Sequence, residues 1–139
     1  MTTALVTGAS TGLGLEFVKL FAADGVDVIL VSSARSTSKL KEVACELRSR
    51  YAVAAHAISM DLAAARAAHE LDARVADLGV EVEHLVNNAG FGIVGLRIQD
   101  CDPDEVSRMI RLNDLTVTDL MTRPQRPTSS ASPNPSATT

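Results

Sequence analysis

Ala4-Leu5-Val6-Thr7-Gly8-Ala9-Ser10-Thr11-Gly12-Leu13-Gly14 decides how this chain folds. Ala4 to Thr7 is a short apolar run that reads as a buried strand ending at Gly8. From Gly12 to Asp24 the spacing of Leu13, Phe17, Val18 and Phe21 predicts a helix that buries these four positions on one face. Between them lies a loop with three glycines. A strand that feeds directly into a helix leaves the first backbone N–H groups of that helix without partners, which suits a pyrophosphate. Glycine is needed there because a Cβ would obstruct the turn, the approach of a phosphate or the packing of helix on sheet. A tight turn without a ligand has similar glycines, but the position between strand and helix favours a dinucleotide site.

The same alternation continues along the chain. Gly25 stands where a helix C-cap takes a left-handed residue, and Val26 to Val31 is a second apolar strand. Ser36 or Ser38 is placed to cap a helix carrying Leu40, Val43, Leu47 and Tyr51 on one face. Val53 to Ser59 reads as a third strand, residues 62–78 as a helix stopped by Gly79, and His84 to Asn87 as a fourth strand. Asp102-Pro103-Asp104-Glu105 announces a last helix, to Met121, with Asp102 as N-cap, Pro103 at the first helical position and Glu105 completing a capping box. The order β-α-β-α-β-α-β-α implies an α/β fold: a Rossmann-type doubly wound parallel sheet, incomplete at about four strands and four helices. Right-handed crossovers then give the strand order 3-2-1, with the fourth strand beside the first.

Composition narrows the function. The chain has 139 residues, room for one domain, and 46% are apolar but almost entirely aliphatic, with one Tyr, three Phe and no Trp. Arg123 and Arg126 lie in the last seventeen residues, which hold no acid, so residues 1–122 carry 11 basic groups against 17 acidic ones. An acidic body argues against nucleic acid or an anionic membrane as partner. Cys45 and Cys101 have no metal-ligand spacing, and His56, His69 and His84 fall on separate elements, so no metal site is expected. No basic stretch precedes a long apolar run, and reduced thiols fit a cytoplasmic protein. After Met121, a Pro/Ser/Thr-rich stretch lacks periodicity and large apolar residues. The expected organisation is therefore a partial dinucleotide-binding domain at 1–122 and a disordered tail at 123–139.

The end of the second strand bears on the cofactor. An acid there suits a ribose 2′-hydroxyl and an arginine a 2′-phosphate. Here the strand runs into Ser32-Ser33-Ala34-Arg35-Ser36 with no acid before Glu42, which favours NADP over NAD. The alternative is an ordinary exposed arginine in a turn.

Four motifs in order resemble the short-chain dehydrogenase/reductase family over residues 3–122. Thr7, Gly8, Gly12 and Gly14 match that family's T-G-x-x-x-G-x-G, and Asp61-Leu62 its adenine-contacting Asp after the third strand. Asn87-Asn88-Ala89-Gly90 matches the motif that ends the fourth strand, and Asn113 looks like the helix asparagine of the catalytic tetrad. The resemblance implies cofactor contacts at Gly8, Ser10, Thr11, Gly12, Leu13, Gly14, Asp61, Leu62, Asn88, Ala89 and Gly90, with Arg35 joining them by the argument above. It also implies a small alcohol or ketone as substrate, and it leaves a homo-oligomer open.

The remaining tetrad members are missing. Tyr51, the one tyrosine, lies before the fourth strand, Ala55 stands four residues after it, and no Lys follows Lys41. Ser129, Ser130 and Ser132 follow no apolar strand. The expectation is a truncated or frame-shifted dehydrogenase, its NADP-binding half inactive as written and marginally stable alone. The alternatives are a non-catalytic module that binds NADP or pairs with a related subunit, and a regulator that uses its tail. Translating the gene in every frame beyond the Leu115 codon separates them. A frame error is expected to yield an apolar strand with a Ser and then Tyr-x-x-x-Lys; a genuine remnant yields neither.

Overall fold

A computed structural model describes residues 2–122, so the expected tail at 123–139 lies outside the described residues. Four parallel strands form one sheet: β1 (Thr3–Thr7), β2 (Asp27–Ser32), β3 (Ala55–Ser59) and β4 (His84–Val86). Their order is β3-β2-β1-β4, as right-handed crossovers require. Ala4 lies between Val28 and His84, and Val6 between Leu30 and Val86.

The period of two along the strands sorts the core into two layers. Ala4, Val6, Val28 and Leu30 face α1 (Gly12–Ala23) and α2 (Thr37–Tyr51), where they pack on Val18, Ala22, Leu40, Val43 and Leu47. Leu5, Ile29, Val31 and Ile58 face the other way, against Ala68 and Leu71 of α3 (Ala67–Asp77) and Leu120. Burial on both faces explains why β1 and β2 read as unbroken apolar runs.

Three expectations need correction. First, α1 does not bury Leu13 and Phe17; its buried positions are Gly14, Val18 and Ala22, while Leu13 is 71% and Leu20 64% exposed. The strand-to-helix loop brings α1 so close to the sheet that only small residues and one valine fit beneath it. Second, the helix expected at 62–78 begins at Ala67. The Asp61 carboxylate accepts the Ala63 N–H at 2.9 Å, and Arg66 takes a left-handed φ of 59°, so the chain turns before it can coil. Third, the last helix is not uniform. It runs as α4 (Pro103–Ile110), a π-helical stretch (Arg111–Thr116) and α5 (Val117–Thr122). Its start is as expected in two respects, Asp102 capping it by accepting the Asp104 N–H at 3.0 Å and Pro103 standing in the first turn, but among the described residues Glu105 makes no side-chain bond back to Asp102 and the capping box does not close. Ile110 and Leu115 stay about half exposed, at 51% and 54%. Among the described residues no helix is long and apolar enough to cross a membrane.

The layer assignment gives a direct contrast. Leu40→Ala empties a fully buried site and is expected to cost about 2–5 kcal/mol. Leu20→Ala, on the outer face of α1, is expected to stay within about 0.5 kcal/mol. Urea denaturation at unchanged slope measures both; similar losses would contradict the assignment of the α1 face.

Candidate cofactor site

The C-terminal ends of β1, β2 and β3 open onto a cleft of about 650 Å³. Its floor is the glycine loop. Gly8 (φ +67°) and Gly12 (φ +59°) both take the left-handed conformation that glycine adopts without strain. Gly14 is required for a different reason: a Cβ there would overlap the Gly8 carbonyl oxygen and lie 2.6 Å from Asn88 Nδ2. Thr11 at the N-cap of α1 makes no side-chain cap, and the first turn holds no acid. The leading N–H groups of α1 are therefore left for an anion.

A polar clamp ties this loop to the turn after β4. The Thr7 hydroxyl accepts the N–H groups of Asn88 and Ala89, each at 3.0 Å, and donates to Val86 O at 3.4 Å. Asn88 Nδ2 donates in return to Thr7 O at 3.1 Å and Gly8 O at 3.2 Å. Ser10 of the loop is joined to Ser32 at the end of β2 by a hydroxyl–hydroxyl bond of 2.9 Å, both residues being buried. Three strand ends are thereby held in one arrangement by side chains that sequence places far apart.

Of the residues singled out from sequence, Gly8, Ser10, Thr11, Arg35, Asp61, Leu62, Asn88, Ala89 and Gly90 line the cleft. Gly12, Leu13 and Gly14 shape the loop and the start of α1 but do not line it. Asn113 lies outside the lining too, in the π-helical stretch. There its side chain brackets Phe91, with Oδ1 accepting the Phe91 N–H at 3.1 Å and Nδ2 donating to Phe91 O at 2.7 Å. Gly90 leaves room for this contact, since a Cβ there would stand 3.0 Å from Asn113 Oδ1. Arg35 sits in a 3-10 turn (Ala34–Ser36) on the rim, with no ionic partner among the described residues.

Sequence reasoning missed Phe91, Arg108 and Leu112 in the lining. Arg108, on α4, forms an ion pair with Asp61 at 3.0 Å. Two further contacts bind the last helix to the same turn: Arg111 Nη1 donates to Ala63 O at 3.0 Å and the Thr116 hydroxyl to Leu62 O at 2.8 Å. The charge pattern on the helix was visible, but its target was not.

A glycine loop at strand ends, an uncapped helix N-terminus and a polar clamp to β4 define a nucleotide-binding α/β protein. The chain belongs to the short chain dehydrogenase family, whose sequence pattern it matches over residues 2–124. It is 37% identical over 114 residues to a very-long-chain 3-oxoacyl-CoA reductase of Meyerozyma guilliermondii, covering 80% of this chain and 32% of that one. Among solved structures it resembles a short-chain dehydrogenase from Sphingobium yanoikuyae in complex with NADPH, at TM-score 0.75 and 31% identity, over 87% of this chain and 46% of that one. An alcohol dehydrogenase from the archaeon Thermococcus sibiricus complexed with 5-hydroxy-NADP gives TM-score 0.77 at 28% identity, over 87% and 50%. The chain thus spans a third to a half of the length of these relatives.

The clamp is testable through stability. Thr7→Val keeps the shape but leaves two N–H groups without an acceptor, and is expected to cost about 1–3 kcal/mol. Thr7→Ser keeps the hydroxyl and loses one methyl, a cost of about 1 kcal/mol or less. Equal losses in chemical denaturation would remove the hydroxyl from the account.

Proposed function

We propose that residues 1–122 are the NADP-binding portion of an oxidoreductase acting on alcohol and ketone substrates, and that they do not turn substrate over by themselves. The observation that carries this reading is an unpaired arginine, Arg35, on the rim of a cleft floored by a glycine loop, with Ser32 and Ser33 beside it and no acid lining the end of β2. A 2′-phosphate suits that setting better than a bare ribose hydroxyl, because its charge meets a cation rather than a carboxylate. Relatives of known structure hold NADPH or an NADP derivative, which supports the same choice.

The residues fit the cofactor in a definite order. The start of α1 and the backbone of Gly8 to Thr11 would hold the pyrophosphate. Arg35 and the serines would hold the 2′-phosphate, and Asp61 with Leu62 the adenine. Asn88, Ala89 and Gly90 would line the path toward the nicotinamide, which supplies or accepts the hydride when bound. Asn113 supports that path through Phe91 and is proposed as the tetrad's helix asparagine. These 139 residues include no Tyr-x-x-x-Lys pair, and Tyr51, the one tyrosine, lies before the fourth strand, so no residue assigned here moves a proton at a substrate oxygen. This absence favours, as a second reading, a module that binds NADP without catalysis.

Titration calorimetry with NADPH and NADH tests the assignment. Arg35→Asp is expected to weaken NADPH about ten- to a hundredfold, the worth of a charge-assisted bond, and NADH far less. Equal losses would remove Arg35 from cofactor choice, and a wild-type chain that binds neither dinucleotide would overturn the reading of the cleft.

A further inference from the structure

The outer wall of the cleft carries one charged pair that the cofactor reading does not use in full. Asp61 and Arg108 are both in the lining, paired at 3.0 Å, with their side chains about half exposed (50% and 48%). Asp61 Oδ1 also accepts the Ala63 N–H. A carboxylate has about four acceptor positions, so two contacts leave it able to accept more. The Arg108 guanidinium has five N–H donors, and among the described residues its one partner is Asp61. The cleft wall therefore offers an acceptor and a donor side by side. Neither group can drift far, because Arg111 and Thr116 hold the adjoining carbonyls of Ala63 and Leu62 and fix α4 against the turn.

We propose that Arg108 is a base-specificity residue, reading a purine edge jointly with Asp61; this rests on the dinucleotide function proposed above. Adenine presents an exocyclic amine, a donor, next to a ring nitrogen that accepts. That order complements a carboxylate next to a guanidinium. A 6-oxopurine places a carbonyl oxygen where the amine stood, opposite the carboxylate, and both groups are then acceptors. Arg108 acts in two ways: it donates to the ring nitrogen, and its charge keeps the Asp61 carboxylate turned toward the base. Asp61 without Arg108 would be a solvated carboxylate held only through Oδ1 by the Ala63 N–H, and its preference for an amine would be weak.

The test is direct binding of NADPH and of its hypoxanthine analogue to the full chain, followed by calorimetry. Wild type is expected to favour the adenine form about tenfold or more, the discrimination of one well-made bidentate contact to a base. R108Q and D61N are each expected to bring the ratio close to one, and the double variant to lower it no further. R108K, which keeps the charge, is expected to retain part of the preference. Both side chains are half exposed, so these changes remove no core packing; an unchanged far-ultraviolet circular dichroism spectrum verifies the fold. Equal weakening of both dinucleotides by R108Q would make Arg108 purely structural and overturn the proposal. So would an unchanged ratio in R108Q, or a wild-type ratio near one while NADPH still binds. If wild type binds neither dinucleotide, the cofactor reading itself fails and this one falls with it.

Discussion

The closeness of α1 to the end of β1 is the constraint on which the rest of the structure depends. Gly14 lies so near the Gly8 carbonyl that no side chain fits between them, and Asn88 Nδ2 occupies the remaining space. That single approach has three consequences. It sets α1 low on the sheet, so small residues form its buried face and Leu13 and Leu20 are turned outward. It aims the uncapped helix N-terminus at the cleft. It also makes the β4 turn part of the loop's support, through Thr7 and Asn88.

Much of this was legible in the sequence because the signals are local. β1 and β2 announce themselves as continuous apolar runs, and Gly25 takes the left-handed conformation expected of a helix stop (φ +76°). The Asp102-Pro103 start of α4 follows from capping chemistry alone. Most of what failed depends on tertiary distance, and one failure on a local side-chain bond. The apolar spacing of α1 is compatible with more than one buried face, and only the approach at Gly14 decides between them. The false start of α3 comes from Asp61 bonding its own turn, a competition that helix propensity cannot register. In the same way, the motif residues of the cleft could be placed by spacing, whereas Phe91, Arg108 and Leu112 enter it because a distant helix folds across.

The last helix shows how a site can be built from a departure from regular structure. Arg108, Arg111 and Thr116 all reach the turn at residues 61–63, while Asn113 reaches Phe91 after the fourth strand. Positions 108, 111 and 116 span more than two helical turns, and a regular helix rotates about 100° per residue. The wider π-helical turn at Arg111–Thr116 changes that phase between Arg111 and Thr116. One helix can then grip the β3–α3 turn at both ends and still present Asn113 to the β4 loop. π-helical turns cost backbone hydrogen-bond geometry and are rare, and they occur mostly where function keeps them. Here the change in phase joins the turn at residues 61–63 to the loop after β4.

The polar groups of the described residues are unevenly satisfied, and the unevenness follows position in the sheet. At the strand ends over the cleft, buried hydroxyls and amides find partners: Thr7 makes three hydrogen bonds and Ser10 is paired with Ser32. Just past β4 the accounting changes. Asn87 Oδ1 is buried without a partner, and β4 has β1 as its one neighbour among the described residues. Ile110 and Leu115 remain half exposed on the helix that follows. A buried acceptor left unpaired costs about 1–3 kcal/mol, and a sheet edge keeps a row of unmet donors and acceptors. These costs gather on the elements after Glu83, whereas β1 and β2 are buried along their whole length.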